Sequence, residues 1–211
     1  NLVGDCFPIK LDLDFEYPQA EIIIGGPPCQ PLSVGGHKKG MEDERDGFPI
    51  FIDAVKKLQP KVFMFENVRG LLYSNKWYFD LVVEELQKLG YFIDYKLLNA
   101  VNFGVPQNRE RLFVVGHRAK FNFPKPQLKK VTVGEAIGDT MYTTPDESKF
   151  LNEAQDRYVA NYEKASACIN PRDLYADRPA RTLTCRNLAG ATGDMQRVKL
   201  LDGRRRRILH N

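Results

Sequence analysis

Up to about Arg118 the chain alternates short, continuous apolar runs with stretches of helical spacing, and few folds accept that pattern. Glu21-Ile22-Ile23-Ile24 is followed directly by Gly25-Gly26-Pro27-Pro28. An apolar run of that length, closed by turn residues, reads as a buried strand. Phe51, Ala54, Val55 and Leu58 recur at helical spacing, with Pro49 suited to a first helical turn. Lys61-Val62-Phe63-Met64-Phe65 is a second buried run, with Glu66-Asn67 at its end. Tyr78 to Leu89 is a second amphipathic helix, closed by Gly90. Tyr91 to Leu98 and Arg111 to Gly116 predict two more strands, with a Gly-Val-Pro turn between them. Strands alternating with helices imply an α/β fold: a mostly parallel sheet covered by helices. Such sheets bind ligands beyond the carboxyl ends of their strands. Pro27-Pro28-Cys29-Gln30 and Glu66-Asn67 are expected just there.

The pattern changes after about residue 118. Asn122 to Pro126 is basic and interrupted by proline, and Lys129 to Asn211 has weak periodicity. Two domains are expected, a catalytic one over 1–120 and a smaller, irregular one over 121–211. A hydrophobic content of 43% with 27% charged residues excludes wholesale disorder. No apolar run reaches the roughly 20 residues of a membrane helix, so no membrane partner is expected. The first residues carry no signal-peptide pattern. The four cysteines, Cys6, Cys29, Cys168 and Cys185, form no Cys-x-x-Cys pair, so no structural metal site is expected. Reduced thiols in a cytosol fit that usage.

The net charge of +4 is modest, but its distribution is uneven. Arg118 to Lys130 holds five basic residues and no acid, and Arg204 to Arg207 is an unbroken run. Each patch reads either as a solvated face or as a nucleic-acid contact. Cys29 follows two prolines that stiffen the backbone, then opens into the basic segment Val34-Gly35-Gly36-His37-Lys38-Lys39-Gly40. A thiol near positive charge at a strand end suits nucleophilic chemistry; the alternative is a small buried side chain. Glu66 reads either as an edge carboxylate or as an acid held protonated against Phe63, Phe65 and Val68. Arg109 and Arg111 would share one face of an extended stretch, as an anion clamp or as exposed ion-pair partners.

Taken together and in order, these segments resemble the DNA (cytosine-5) methyltransferases. Gly25-Gly26-Pro27-Pro28-Cys29-Gln30-Pro31-Leu32-Ser33 resembles that family's Pro-Cys motif, and Glu66-Asn67-Val68 its Glu-Asn-Val motif. Gln107-Asn108-Arg109-Glu110-Arg111 resembles its Gln-x-Arg-x-Arg motif. Gly4-Asp5 resembles its cofactor-contacting Gly-Asp, and Arg181-Thr182-Leu183-Thr184 its target-recognition Thr-Leu element. The resemblance implies a Rossmann-like, S-adenosylmethionine-dependent methyltransferase sheet with a small target-recognition domain. It implies duplex DNA as partner and a bacterial restriction–modification setting, in a cytoplasm and on the nucleoid.

Roles follow from the resemblance residue by residue. Cys29 would attack C6 of a flipped-out cytosine. Glu66 would protonate or hydrogen-bond N3, Arg111 would orient the base at O2, and Arg109 would support Glu66 or the adduct. Asp5, Pro27 and Phe48 would contact the cofactor. Gln30, Ser33, Lys38, Lys39, Arg45, Thr182, Leu183 and Arg186 would contact DNA. Asn187, Gly190, Gly193 and Arg197 would join Arg186 in a major groove, or else be ordinary loop residues.

Some family elements have no counterpart. No Gly-x-Gly occurs in the 211 residues, and the ribose-binding acid is missing too. Arg204 to Asn211 resembles only the start of the family's next motif. The loop also reads Glu44-Arg45-Asp46-Gly47-Phe48 where Arg-Gly is usual. The expectation is a member truncated at both ends, with a second chain or missing segment completing the cofactor site. The main alternative is a DNA-binding subunit inactive by itself. An RNA cytosine methyltransferase is disfavoured by Ser33, where that type usually has Thr. A Cys/His hydrolase would need Cys29 with His37 or His117 and an orienting acid.

Overall fold

The computed structural model describes residues 18–28, 46–165, 173–183 and 196–207. The chain divides into two compact units: Asn1–Leu98 with Glu110–Lys125, and Asn99–Arg109 with Pro126–Asn211. The segment Asn99–Arg109 therefore belongs with the later part of the chain, across the division at residue 120 that composition suggests.

In the first unit, β1 (Ile22–Gly25) is followed by Pro27-Pro28, and the next described element is α1 (Phe48–Leu58). There follow β2 (Val62–Val68), α2 (Lys76–Lys88), β3 (Phe92–Asn99) and β4 (Glu110–His117). The sheet order is β1-β2-β4-β3. β1 runs parallel to β2, whereas β4 runs antiparallel to it. Among the described strands the sheet is thus mixed, with a parallel and an antiparallel pairing. The short link from β3 to β4 is no helical crossover, and a parallel return requires one.

Period-two alternation decides which residues enter the core. Phe63 and Phe65 on β2 and Leu112 and Val114 on β4 share one face, packed with Phe48, Phe51 and Val55 of α1 and Phe79, Val82 and Leu86 of α2. Edge-to-face rings join the layers: Phe48 to Phe65 at 5.3 Å and Phe51 to Phe63 at 5.8 Å. Gly116 makes room for this packing, since a Cβ there would lie 2.0 Å from the Phe63 ring. On the other face Ile22 and Ile24 are 61% and 71% exposed, so the expected two-sided burial of β1 is not seen. α1 ends at Gln59 in the left-handed region, whose N–H donates to the Val55 carbonyl at 2.9 Å.

The second unit holds α3 (Val133–Met141), α4 (Glu153–Ala165), β5 (Arg197–Lys199) and β6 (Arg205–Arg207). A capping box starts α3: Thr132 Oγ1 accepts from the Glu135 N–H at 3.2 Å, and the Glu135 carboxylate accepts from the Thr132 N–H at 2.9 Å. Val133, Met141, Val198 and Leu200 make a small core. Beside it Arg197, 1% exposed, donates to Asp173 at 2.7 Å and lies 3.4 Å from Glu163. Arg205 reaches Asp156 at 2.6 Å and Asp173 at 3.1 Å. No helix among the described residues is long and apolar enough to cross a membrane.

Candidate active site

Glu66 and Asn67 lie inside β2 rather than past its end, because the strand continues to Val68. In the ladder with β4, Glu66 faces Phe113 and Val68 faces Arg111. Arg111 is therefore the diagonal neighbour of Glu66 on the same face. Its Nε donates to Glu66 Oε1 at 2.8 Å, and its Nη1 to the Glu110 carbonyl at 2.7 Å. The Glu66 side chain is 38% exposed and that of Arg111 20%. The pair thus sits half-sheltered at the carboxyl end of β2 and can present an acceptor and a fixed cation to one ligand. Phe63 and Phe65 point to the opposite face, so the apolar pocket expected around Glu66 is not formed by them. An offset of one or three residues along a strand always separates faces.

Asn67 points the other way, into the interior, 5% exposed. Its Nδ2 donates to the Pro27 carbonyl at 2.9 Å, and its Oδ1 accepts from the Val68 N–H at 2.8 Å. The Pro27-Pro28 turn after β1 is thereby tied to β2. Gly47 holds it from another side, donating its N–H to the Pro28 carbonyl at 3.1 Å. Asp46 stands beside this contact: its Oδ1 accepts from the Phe48 N–H at 3.1 Å and its Oδ2 from the Tyr78 hydroxyl. Residue pattern alone assigns Asn67, Asp46 and Tyr78 no individual role. An aspartate just before a Pro-bearing helix start was the readable signal for Asp46. Tyr78 had none, because its partner lies 32 residues away.

In the second unit the Gln107-Asn108-Arg109 stretch is zipped to residues 180–183. The Asn108 N–H donates to the Ala180 carbonyl at 2.7 Å, and the Ala180 N–H to the Pro106 carbonyl at 2.8 Å. Thr182 Oγ1 donates to the Asn108 carbonyl at 2.5 Å. Arg109 donates through Nη1 to the Leu183 carbonyl at 3.5 Å, while its N–H goes to Asn99 Oδ1 at 3.0 Å. Thus Arg111, not Arg109, is the arginine paired with Glu66. Two motifs about 75 residues apart in sequence, Gln-x-Arg and Thr-Leu, form one backbone-bonded element.

Three expectations are corrected. Phe48 is fully buried between Phe65 and Tyr78, a core residue with no surface for a cofactor. Arg197 is held inside the second unit by Asp173 and Glu163, so it does not present its guanidinium to a groove. The Arg204 to Arg207 run is not a uniform basic patch: Arg204 pairs with Asp202 and lies over Phe150, Arg205 pairs with Asp156 and Asp173, and Arg206 donates to the Met141 carbonyl. Asp156 and Asp173 draw Arg205 inward, while Arg204 stays exposed. Asp5, Cys29, Gln30, Ser33, Lys38, Lys39, Arg45, Arg186, Asn187, Gly190 and Gly193 lie outside the described residues.

Of the expected cofactor contacts among the described residues, Phe48 is in the core, whereas the Pro27 carbonyl accepts from Asn67 and keeps a second lone pair. They do not by themselves form a cradle for the group. His117, a candidate in the hydrolase reading, pairs with Asp94 at 2.7 Å. It faces Val62, four residues along β2 from Glu66, or about 13 Å at the rise of a strand. Among the described residues no group of histidine, cysteine and carboxylates could hold a metal ion.

The fold of this chain is similar to that of two solved proteins. Entamoeba histolytica methyltransferase EhMeth aligns over 88% of this chain and 61% of its own, with a TM-score of 0.56 at 18% identity. A Spodoptera frugiperda DNMT2 variant aligns over 86% and 56%, with a TM-score of 0.54 at 21% identity. The fold is that of the Rossmann-like methyltransferases.

Within that class, the chain belongs to the C-5 cytosine-specific DNA methylase family, whose model matches residues 4–188. It is 52% identical to the type II methyltransferase M.AplI of Arthrospira platensis over 99% of its length. It is 37% identical to the type II methyltransferase M.MthTI of Methanothermobacter thermautotrophicus over 81%. It spans 61% and 54% of the lengths of these two relatives.

Proposed function

We propose that this chain carries the cytosine-handling machinery of an enzyme that methylates C5 of cytosine in a specific duplex DNA sequence. The observation that supports it most is the Glu66–Arg111 pair, an acceptor and a planar cation 2.8 Å apart at the carboxyl end of β2, beside the turn that leads to Cys29. A cytosine extruded from its stack offers N3 to Glu66 and O2 to Arg111. The Cys29 thiolate adds to C6, and the electrons pushed into the ring are stabilised because Glu66 protonates or hydrogen-bonds N3. C5 becomes enamine-like and nucleophilic. After methylation the C5 proton leaves, the C6–S bond breaks, and the Cys29 thiolate returns.

S-adenosylmethionine, the donor the resemblance implies, supplies an electrophilic methyl group. Pro27 would contribute to its binding, with further groups from elsewhere in this chain or from another. The second reading is a DNA-binding part that needs a further segment for turnover. Asp5 would serve the cofactor, and Gln30, Ser33, Lys38, Lys39, Arg45, Thr182, Leu183 and Arg186 the DNA. Bacterial nucleoid DNA is the setting we assign.

Covalent trapping tests both readings. The chain is incubated with S-adenosylmethionine and duplexes of varied sequence containing 5-fluorocytosine, which blocks the final elimination. A denaturation-resistant adduct lost in Cys29→Ser is expected. An adduct that persists in Cys29→Ser removes that residue from the nucleophile role. No adduct from folded protein that still binds DNA supports the second reading.

A further inference from the structure

Asp46 is a buried carboxylate that the proposed chemistry does not use. Only 5% of it is exposed, and Tyr78 is fully buried. Burying a carboxylate is costly unless its oxygens are bonded. A helix start alone asks for one acceptor oxygen, which serine or asparagine supplies at lower cost. Here one oxygen takes the Phe48 N–H and the other takes the Tyr78 hydroxyl from α2. That second bond ties α2 to the Asp46-Gly47 peptide.

The same peptide seats the proline before Cys29. The Gly47 N–H donates to the Pro28 carbonyl at 3.1 Å. The packing is tight as well as bonded: a Cβ at Gly47 would lie 2.4 Å from the Pro28 Cδ. The Tyr78 ring is fixed in turn, edge-on to Phe48 at 5.7 Å. A continuous path therefore runs from α2 through Tyr78, Asp46 and Gly47 to Pro28, whose carbonyl carbon is bonded to the Cys29 nitrogen.

We propose that Asp46 and Tyr78 are positioning residues for the Cys29 nucleophile, acting through Gly47 and Pro28. The inference rests on the reading of Cys29 as nucleophile. Asn67 braces Pro27 from β2, and the Asp46–Tyr78 bond braces Pro28 from α2, so the turn is held on two sides. Attack on C6 tolerates little displacement: an error of 1 Å in a reacting group costs about 10²-fold in rate.

The test is Tyr78→Phe, which keeps the ring and removes the hydroxyl. The full chain is mixed with S-adenosylmethionine and 5-fluorocytosine duplex, and adduct formation is followed in a single turnover. The expected result is an adduct rate about tenfold lower, with the final adduct yield and the DNA Kd unchanged. Asp46→Asn, which keeps one acceptor oxygen, is expected to fall between the two. Tyr91→Phe is the control for loss of a buried tyrosine bond: Tyr91 donates to the Pro60 carbonyl at 2.6 Å, away from the turn. Its adduct rate stays at the parent value. A Tyr78→Phe rate within twofold of the parent overturns the proposal, as does an equal slowing in Tyr91→Phe. If the parent forms no Cys29 adduct, the methyl-transfer reading fails separately. Positioning is then read from the alkylation rate of Cys29 by iodoacetamide, resolved by peptide mass. A changed rate in Tyr78→Phe supports the brace, and equal rates in parent and variant overturn it.

Discussion

Arg111 Nε donates to Glu66 Oε1 across the β2–β4 ladder, two residues out of direct register. The diagonal placement aims both side chains from one face of the sheet, so a planar ligand can meet the carboxylate and the guanidinium together. Glu66→Gln keeps the shape and one acceptor oxygen but cannot supply a proton to N3. Its single-turnover methylation rate is expected to fall by about 10²-fold or more, with DNA affinity within a few-fold of the parent. An affinity loss that accounts for the whole effect would contradict the acid role.

Gly47 separates packing from backbone freedom. Gly47→Ala drives a methyl into the Pro28 ring, 2.4 Å from its Cδ. A destabilisation of about 1–3 kcal/mol is expected from such overpacking, together with slowed adduct formation. Gly26→Ala is the contrast, because nothing lies within 4 Å of a Cβ there. Urea unfolding of the two variants compares them directly, and equal midpoints would rule out the close approach.

Asp173 is expected to matter more to stability than any exposed acid of the second unit. It receives Arg197 at 2.7 Å and Arg205 at 3.1 Å, and Arg197 is 1% exposed. Asp173→Ala strips a buried cation of a close partner, a loss of about 3–5 kcal/mol. Asp202→Ala, which removes an exposed partner of Arg204, is expected to leave the unfolding temperature close to the parent's. Thermal unfolding with a probe in the second unit measures both.

The capping box at α3 is expected to weaken in acid. The Lys129 ammonium and the Thr132 N–H hold the Glu135 carboxyl below the usual carboxylate range. A carboxyl depressed by folding stabilises the fold above its unfolded value and loses that contribution as pH falls through the folded one. The protection factor of the Glu135 amide, whose N–H donates to Thr132 Oγ1, should fall in that window. Thr132→Ala removes the same cap at neutral pH, at about 1 kcal/mol. A protection factor indifferent to both changes would mean that the box does not hold the helix end.

Local chemistry made much of this molecule readable from the chain. The runs at residues 22–25 and 62–68 are strands because continuous apolar residues bounded by turn formers have few other solutions. α1 follows from its spacing and from Pro49 in its first turn. Cys29, Glu66, Arg109 and Arg111 stand out as candidates because few residue types do such chemistry.

What the chain could not disclose was every relation that depends on direction or on distant partners. The antiparallel entry of β4, the face Glu66 shares with Arg111 and not with Phe65, and the joining of Asn108 to Thr182 all arise from register across separate strands and loops. The inward turn of Arg197 and the burial of Phe48 have the same origin. An arginine or an aromatic ring carries one identity in sequence but several possible environments. Only packing decides whether an acid, a ring or a ligand lies beside it. Residue chemistry therefore determined which groups were available, and tertiary structure decided which of them meet.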